Sequence, residues 1–160
     1  MKIQHNLGSD IIMAFDQCSE YGYTHEQASA AMERTSKWLE RCYAAHDNPR
    51  QALFPIVQGN FYKDLRRESL ERCLPFVKHG IAIGGLSVGE PKPLMYELLD
   101  DLKEVLPTDV PRYLMGVGSP DCLVEGTLRG VDMFDCVLAT RVARNGTALT
   151  SRGKVVVRFP

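Results

Sequence analysis

Short apolar runs alternate with longer stretches of helical period along this chain. Ile11-Ile12-Met13-Ala14-Phe15 leads to Asp16, and a helix is predicted from about Thr24 to Ala45. On that helix Ala28, Ala31, Met32, Thr35, Trp38, Leu39 and Cys42 share one face, the core side of an amphipathic helix. Thr24, with Gln27 three positions on, reads as a capping box. The unit recurs. Leu53-Phe54-Pro55-Ile56-Val57 ends at Gln58-Gly59, before a helix over about 62–78. Gly80-Ile81-Ala82-Ile83 ends at Gly84-Gly85, before a helix over about 92–106. Arg112-Tyr113-Leu114-Met115 ends at Gly116-Val117-Gly118, before a helix over about 120–129, and Met133 to Leu138 reads as the fifth strand. The last stretch, from Ala148 through Ser151-Arg152-Gly153 to Arg158, reads as a hairpin.

Apolar strands separated by helices imply a parallel β/α architecture with both sheet faces covered. A doubly wound sheet and a (β/α)8 barrel both fit. No Gly-x-Gly-x-x-Gly follows the first strand, which lowers the dinucleotide-binding option. Polar or glycine positions instead fall at every strand end: Asp16, Gln58, Gly85, Met115-Gly116 and Asp135. In a barrel such ends form one ring, where active sites lie, and a full barrel takes about 250 residues. The expected fold is therefore α/β: a partial (β/α)8 TIM barrel of about five βα units plus a C-terminal hairpin, forming a single catalytic domain over residues 1–160. An independent five-stranded open sheet is the alternative.

Composition changes this picture little. The chain has 160 residues, 44% hydrophobic and 24% charged, ordinary values for a soluble domain with a real core. A net charge of -1 offers no global field for nucleic acid, so any such attraction is local. The charge is segregated, however. Asp135 is the last acid, and five basic residues follow it. Five cysteines at 18, 42, 73, 122 and 136 form no paired metal motif, and their scatter predicts reduced thiols in a cytoplasmic protein. No apolar run approaches the length of a membrane span, which is about 20 residues.

The strand ends carry the candidate chemistry. Asp135 is a possible nucleophile leading into a loop with Arg141 and Arg144, a possible phosphate grip, and it could equally pair with either arginine for structure alone. Asp132 is the rival carboxylate, on the opposite face of the strand. Asp16 could cap a turn or accept two parallel N–H donors, such as the N1 and 2-amino edge of guanine. Gln58 could donate to a purine 6-oxo group or be a plain loop amide. Gly84-Gly85 could bring backbone N–H groups against a flat ligand or simply make a tight turn. Met115 could lie on a ring, although a strand methionine is usually core. Ser119 and Pro120 suit the cap and first position of a helix, whose start can bind phosphate. The four histidines form no obvious triad.

Five ordered motifs together resemble the bacterial tRNA-guanine transglycosylase (queuine tRNA-ribosyltransferase) family. They are Met13-Ala14-Phe15-Asp16-Gln17-Cys18, Ile56-Val57-Gln58-Gly59, Gly84-Gly85-Leu86-Ser87-Val88-Gly89-Glu90, Tyr113-Leu114-Met115-Gly116-Val117-Gly118 and the run from Gly130 to Gly146. The resemblance implies a (β/α)8 barrel that exchanges the wobble guanine of certain tRNAs for a 7-deazaguanine. It implies that Asp135 is the nucleophile, attacking the ribose anomeric carbon to give a covalent intermediate, with net retention after two inversions. It implies base contacts from Asp16, Gln58, Gly85, Leu86 (through its carbonyl) and Met115. It implies tRNA contacts from Gly116, Val117, Gly118, Ser119, Pro120, Asp121 and Cys122, and from Thr140, Arg141, Val142, Ala143 and Arg144. Val88 stands where the family's bacterial members carry Val, which implies the smaller substrate, 7-aminomethyl-7-deazaguanine. The resemblance further implies a homodimer, a general acid/base aspartate in an N-terminal part that this chain lacks, and a structural zinc with ligands beyond Pro160, so no metal ligands are expected within the chain. The piece alone is expected to be inactive. Gln17 stands where Glu is usual, and its side chain should point away from Asp16. Ala139 stands where Pro is frequent. A non-catalytic tRNA-binding subunit of the same fold and an unrelated phosphate-binding barrel enzyme are the competing readings.

Overall fold

A computed structural model describes residues 1–157. The order is α1 (Lys2–Leu7), β1 (Ile11–Met13), α2 (His25–Ala44), β2 (Ala52–Phe54), β3 (Ile56–Val57), α3 (Lys63–Cys73), β4 (Ile81–Ile83), α4 (Lys92–Lys103), β5 (Arg112–Leu114), α5 (Pro120–Leu128), β6 (Met133–Phe134), α6 (Leu138–Arg144), β7 (Thr147–Thr150) and β8 (Gly153–Val156). β1 pairs with β2, and β3-β4-β5-β6 form a second ladder in chain order. Every one of these pairings is parallel, with registers Ile12↔Leu53, Val57↔Ile83, Ile83↔Leu114 and Leu114↔Phe134. This is the mixed α/β architecture with parallel sheet expected from the alternating pattern. β7 and β8 form the expected antiparallel hairpin. Arg158, placed in its second arm by the sequence, lies outside the described residues.

Burial explains the apolar runs. Ile12, Leu53, Val57, Ile81, Ile83 and Leu114 are essentially inaccessible and meet Leu98, Leu99 and Leu102 of α4 in one continuous core. The α2 face is buried at Ala28, Ala31, Met32, Thr35, Leu39 and Cys42. Trp38, assigned to that face, is half-buried and packs against the exposed Phe15 at a ring separation of 4.9 Å. The Thr24 and Gln27 capping box is present in both directions.

Four local expectations need correction. The run 53–57 is two strands, because Phe54 faces β1 while Ile56 has moved across to β4. Pro55, which has no N–H to donate to a ladder, marks the change of partner, and its carbonyl accepts from Ala82 N at 2.9 Å. The helix after Tyr62 stops at Cys73 and tightens into a 3-10 turn over Leu74–Phe76 around Pro75. The fifth strand ends at Phe134 rather than Leu138, since β5 offers only Tyr113 and Leu114 as partners. Residues 138–144 form α6 rather than a loop, opened by Arg141 N donating to Val137 O at 2.8 Å. The short α1 carried no periodic signal long enough to predict it.

Candidate functional site

The C-terminal ends of β1, β3, β4, β5 and β6 deliver their next residues to one cavity of about 380 Å³. Asp16, Gln58, Gly85, Leu86, Met115, Gly116 and Asp135 all line it, so the structure brings the expected base contacts and the expected nucleophile together. Asp132 is excluded from this cavity. Its carboxylate accepts from Arg112 N at 2.9 Å, at the opposite end of β5.

Asp135 is held asymmetrically. Its Oδ1 accepts from the Tyr113 hydroxyl at 2.7 Å and from Gly116 N at 2.8 Å. Neither Arg141 nor Arg144 is among these donors, and both hydrogen bonds fall on Oδ1. Gly116 turns at a φ of 73°, a left-handed conformation that glycine adopts without strain. Burial first, and the neighbouring carboxylate second, push the Tyr113 phenol up to about 12, so it remains a donor at neutral pH.

Asp16 lines the same cavity. Gln58, almost fully buried, donates from Nε2 to Asp16 Oδ2 at 2.6 Å. The Gln58 backbone N–H is in turn held by Ser69 Oγ at 2.9 Å. Gln58 Oε1 is buried with no hydrogen-bond partner among the described residues. Such an atom is costly unless something donates to it, by about 1–3 kcal/mol. Burial raises the Asp16 carboxyl above its ordinary value, and the hydrogen bond from Gln58 opposes part of that rise. Gln17 does point away, its Oε1 accepting from Arg34 while its N–H donates to Thr35 Oγ1 at 2.9 Å.

The Gly84-Gly85 turn fits tightly around Gln58. A Cβ built on Gly84 would lie 2.6 Å from Gln58 Nε2, and one on Gly85 2.4 Å from Oε1. Gly85 also has a φ of 67°. The glycines are thus required by close approach and by backbone conformation together. Beyond them Ser87 holds a φ of 62°, uncommon for a side-chain-bearing residue, and the Glu90 carboxylate accepts from both Ser87 N and Val88 N. Val88 lines the cavity.

A second groove of about 580 Å³ adjoins the first, with Ser87 and Gly116 lining both. Of the residues expected to contact tRNA, Gly116, Val117, Gly118, Ser119, Cys122 and Arg141 line this groove, whereas Pro120, Asp121, Thr140, Val142, Ala143 and Arg144 do not. Thr140, Ala143 and Arg144 are exposed on α6, Val142 is half-buried, and the Thr140 hydroxyl donates to Val137 O at 3.1 Å. Ser119 occupies the N-cap position of α5 but makes no side-chain cap bond. Its hydroxyl donates to Asp121 Oδ1 at 2.7 Å instead. Lys92 completes the cluster and, with Ser119, holds the Asp121 carboxyl down at about 2. A carboxylate fixed in the first turn of α5 opposes a phosphate at that helix start, which removes the support for a sugar-phosphate enzyme gripping residues 116–120.

Sequence reasoning missed two contributors. Tyr113, inside a quoted motif, was not assigned to Asp135. Arg66 was read only as part of a helix, although 66, 69, 70 and 73 share the buried side of α3, an unusual place for a guanidinium. Among the described residues no three His, Cys, Asp or Glu side chains converge as a metal site, so the residues present do not fit the zinc implied by the resemblance.

The family model described as Queuine tRNA-ribosyltransferase matches residues 1–159. The chain belongs to the queuine tRNA-ribosyltransferase family. It is 62% identical over 158 residues to the queuine tRNA-ribosyltransferase of Pelotomaculum thermopropionicum, covering 99% of this chain and 43% of that relative. The Desulforamulus reducens relative of the same name is 59% identical at the same coverage. That of Macrococcus caseolyticus is 58% identical over 159 residues, 99% of this chain and 42% of the relative. The chain thus spans somewhat over two-fifths of the length of these curated relatives. All five cysteines are free, and among the described residues no helix is long and apolar enough to cross a membrane.

Proposed function

We propose that this chain supplies the purine pocket and the nucleophile of a tRNA base-exchange enzyme. The observation that carries the reading is one cavity lined by Asp16, Gln58, Gly85 and Asp135 together. In it the wobble guanine, turned out of the RNA stack, presents its N1–H and 2-amino group to the Asp16 carboxylate, while the Gln58 amide and the Gly85 N–H donate to its 6-oxo group. Leu86 lends a carbonyl, and Met115 packs on the ring.

The chemistry is a double displacement. Asp135 forms an ester to the ribose anomeric carbon as the bond from that carbon to guanine N9 breaks, and the bonding pair leaves with the base. Incoming 7-aminomethyl-7-deazaguanine gives up its N9 proton, and N9 attacks the same carbon. The ester bond breaks, and Asp135 returns as carboxylate. The hydrogen bonds of Tyr113 and Gly116 to Oδ1 leave Oδ2 as the attacking oxygen. Proton transfer to and from the base belongs to an aspartate of the N-terminal part of the longer protein. Val88, on the cavity wall, favours the 7-aminomethyl precursor over the bulkier queuine.

On this reading the parallel units belong to a partial (β/α)8 barrel completed by further strands of the longer protein. A structural zinc bound outside these residues, a homodimer and a cytoplasmic setting go with it. The groove beside the cavity and the arginines of α6 take the anticodon loop. The test is a trapping experiment. The whole gene product carrying this chain is mixed with an anticodon stem-loop containing a wobble guanine, quenched in denaturant and run on a gel. A covalent RNA adduct is expected, and it is absent from the Asp135→Asn variant. An adduct that persists in that variant, or none in the parent, refutes the nucleophile assignment. A non-catalytic subunit would give none in either.

A further inference from the structure

Arg66 is fully buried, and among the described residues no carboxylate lies within salt-bridge distance of it. A charged side chain in that position is rare unless it is paired. Its donors go to backbone carbonyls instead. Nε donates to Asn60 O at 2.6 Å. Nη1 and Nη2 both donate to Gly84 O at 3.1 Å, and Nη2 also reaches Gly85 O at 3.2 Å. One planar guanidinium therefore ties together two strand-end turns. The first is Gln58-Gly59-Asn60, after β3, and the second is Gly84-Gly85, after β4. A point-charge ammonium cannot span the same three acceptors in one plane.

The consequence for the cavity follows from peptide geometry. Among the described residues every peptide bond is trans, and in a trans peptide the C=O and N–H point in opposite directions. Holding Gly84 O down onto Arg66 therefore aims the Gly85 N–H away from it. Gly85 lines the cavity together with Cys18 and Gln58. The other turn fixed by Arg66 begins with Gln58, the second donor expected at the same edge of the base.

Resting on the purine-pocket reading, we infer that Arg66 is a positioning residue for base recognition: it sets the spacing and direction of the Gly85 N–H and the Gln58 amide that meet the 6-oxo group. It touches no substrate, and its effect is on base selectivity.

The experiment titrates the whole gene product with guanine and with 6-thioguanine, which keeps the N1–H and 2-amino edge but replaces the 6-oxo group by a poor acceptor. The parent is expected to bind guanine more tightly. In Arg66→Met and Arg66→Lys, guanine affinity is expected to fall by about tenfold or more, and 6-thioguanine affinity by less than about threefold, as loss of one aimed hydrogen bond predicts. The ratio of the two affinities is a readout that a general loss of stability does not move. Folded variants that keep the parental ratio overturn the proposal. If neither variant folds, the unmodified protein decides by NMR. A slowly exchanging Arg66 Nε–H and a Gly85 amide proton that shifts downfield with guanine support it, and an unmoved Gly85 amide overturns it. A parent that binds no guanine fails at the first step, which removes the pocket reading itself and this inference with it.

Discussion

Asp16 is placed under opposing demands. On the proposed reading the guanine edge needs a carboxylate here, yet burial favours its neutral form and lifts its ionisation above the ordinary range. The sign of the stability effect follows. An acid whose folded-state ionisation is raised costs stability when charged. That cost is fully present above the raised folded value and vanishes as pH falls toward the ordinary one. Asp16→Asn keeps an acceptor for the Gln58 Nε2 and removes the charge. It is expected to raise the melting temperature at neutral pH, with the gain shrinking as pH is lowered from about 7 to about 4. Guanine affinity is expected to fall by about 10- to 100-fold, the worth of a charge-assisted contact. Melting curves across that range, with a guanine titration at neutral pH, check both. A pH-independent difference in melting temperature contradicts the account. Asp135 differs in setting: it is exposed, and two donors on one oxygen orient it without burying it.

Elements were legible where their signal was local. The α2 capping box needs only Thr24 and Gln27, and it was found. The change of strand partner at Pro55 depends on β1 and β4, which no local pattern reveals. The helix at 138–144 was hidden by apolar continuity with Met133 and Phe134, though Leu138, Ala139 and Arg141 are good helix formers. Arg66 gives no such signal, because a buried guanidinium on the apolar side of α3 breaks the polar-out, apolar-in pattern of a helix. The contact between the β5–α5 loop and the segment after β6 offers an element-scale test. A Cβ on Gly118 would fall 2.1 Å from Cys136 Sγ and 2.7 Å from Cys136 Cβ, beside the expected nucleophile. Gly118→Ala must displace the segment after β6, and it is expected to destabilise by about 1–3 kcal/mol, as overpacking does. Adding Cys136→Ala should recover part of that loss, because it removes the sulfur but leaves the Cβ. Urea unfolding midpoints of the two single variants and the pair measure this. Strictly additive effects would show that the two residues do not meet.

At the scale of the whole molecule, the net charge of -1 hides a segregation that matches the position of the site. The last acid is Asp135, and Arg141 and Arg144 follow it on one exposed side of α6 at helical i, i+3 spacing. Only Arg141 lines the groove that adjoins the base cavity, and Arg144 stands outside it. On the proposed reading, base recognition and backbone capture fall to separate surfaces that meet at Ser87 and Gly116. They should separate in solution. If both arginines neutralise phosphates of a single-stranded loop, the double change Arg141→Ala with Arg144→Ala should reduce the magnitude of the slope of log affinity against log salt by about 1.4, at about 0.7 per phosphate. Guanine binding should change little, because neither side chain lines the base cavity. Stem-loop binding by fluorescence anisotropy over a range of salt concentrations, with a parallel guanine titration, measures the two terms. A parental salt slope in the double variant would move the RNA path off α6. A parallel loss of guanine affinity would show instead that α6 holds the Asp135 segment in place, since only the short stretch Cys136-Val137 separates them.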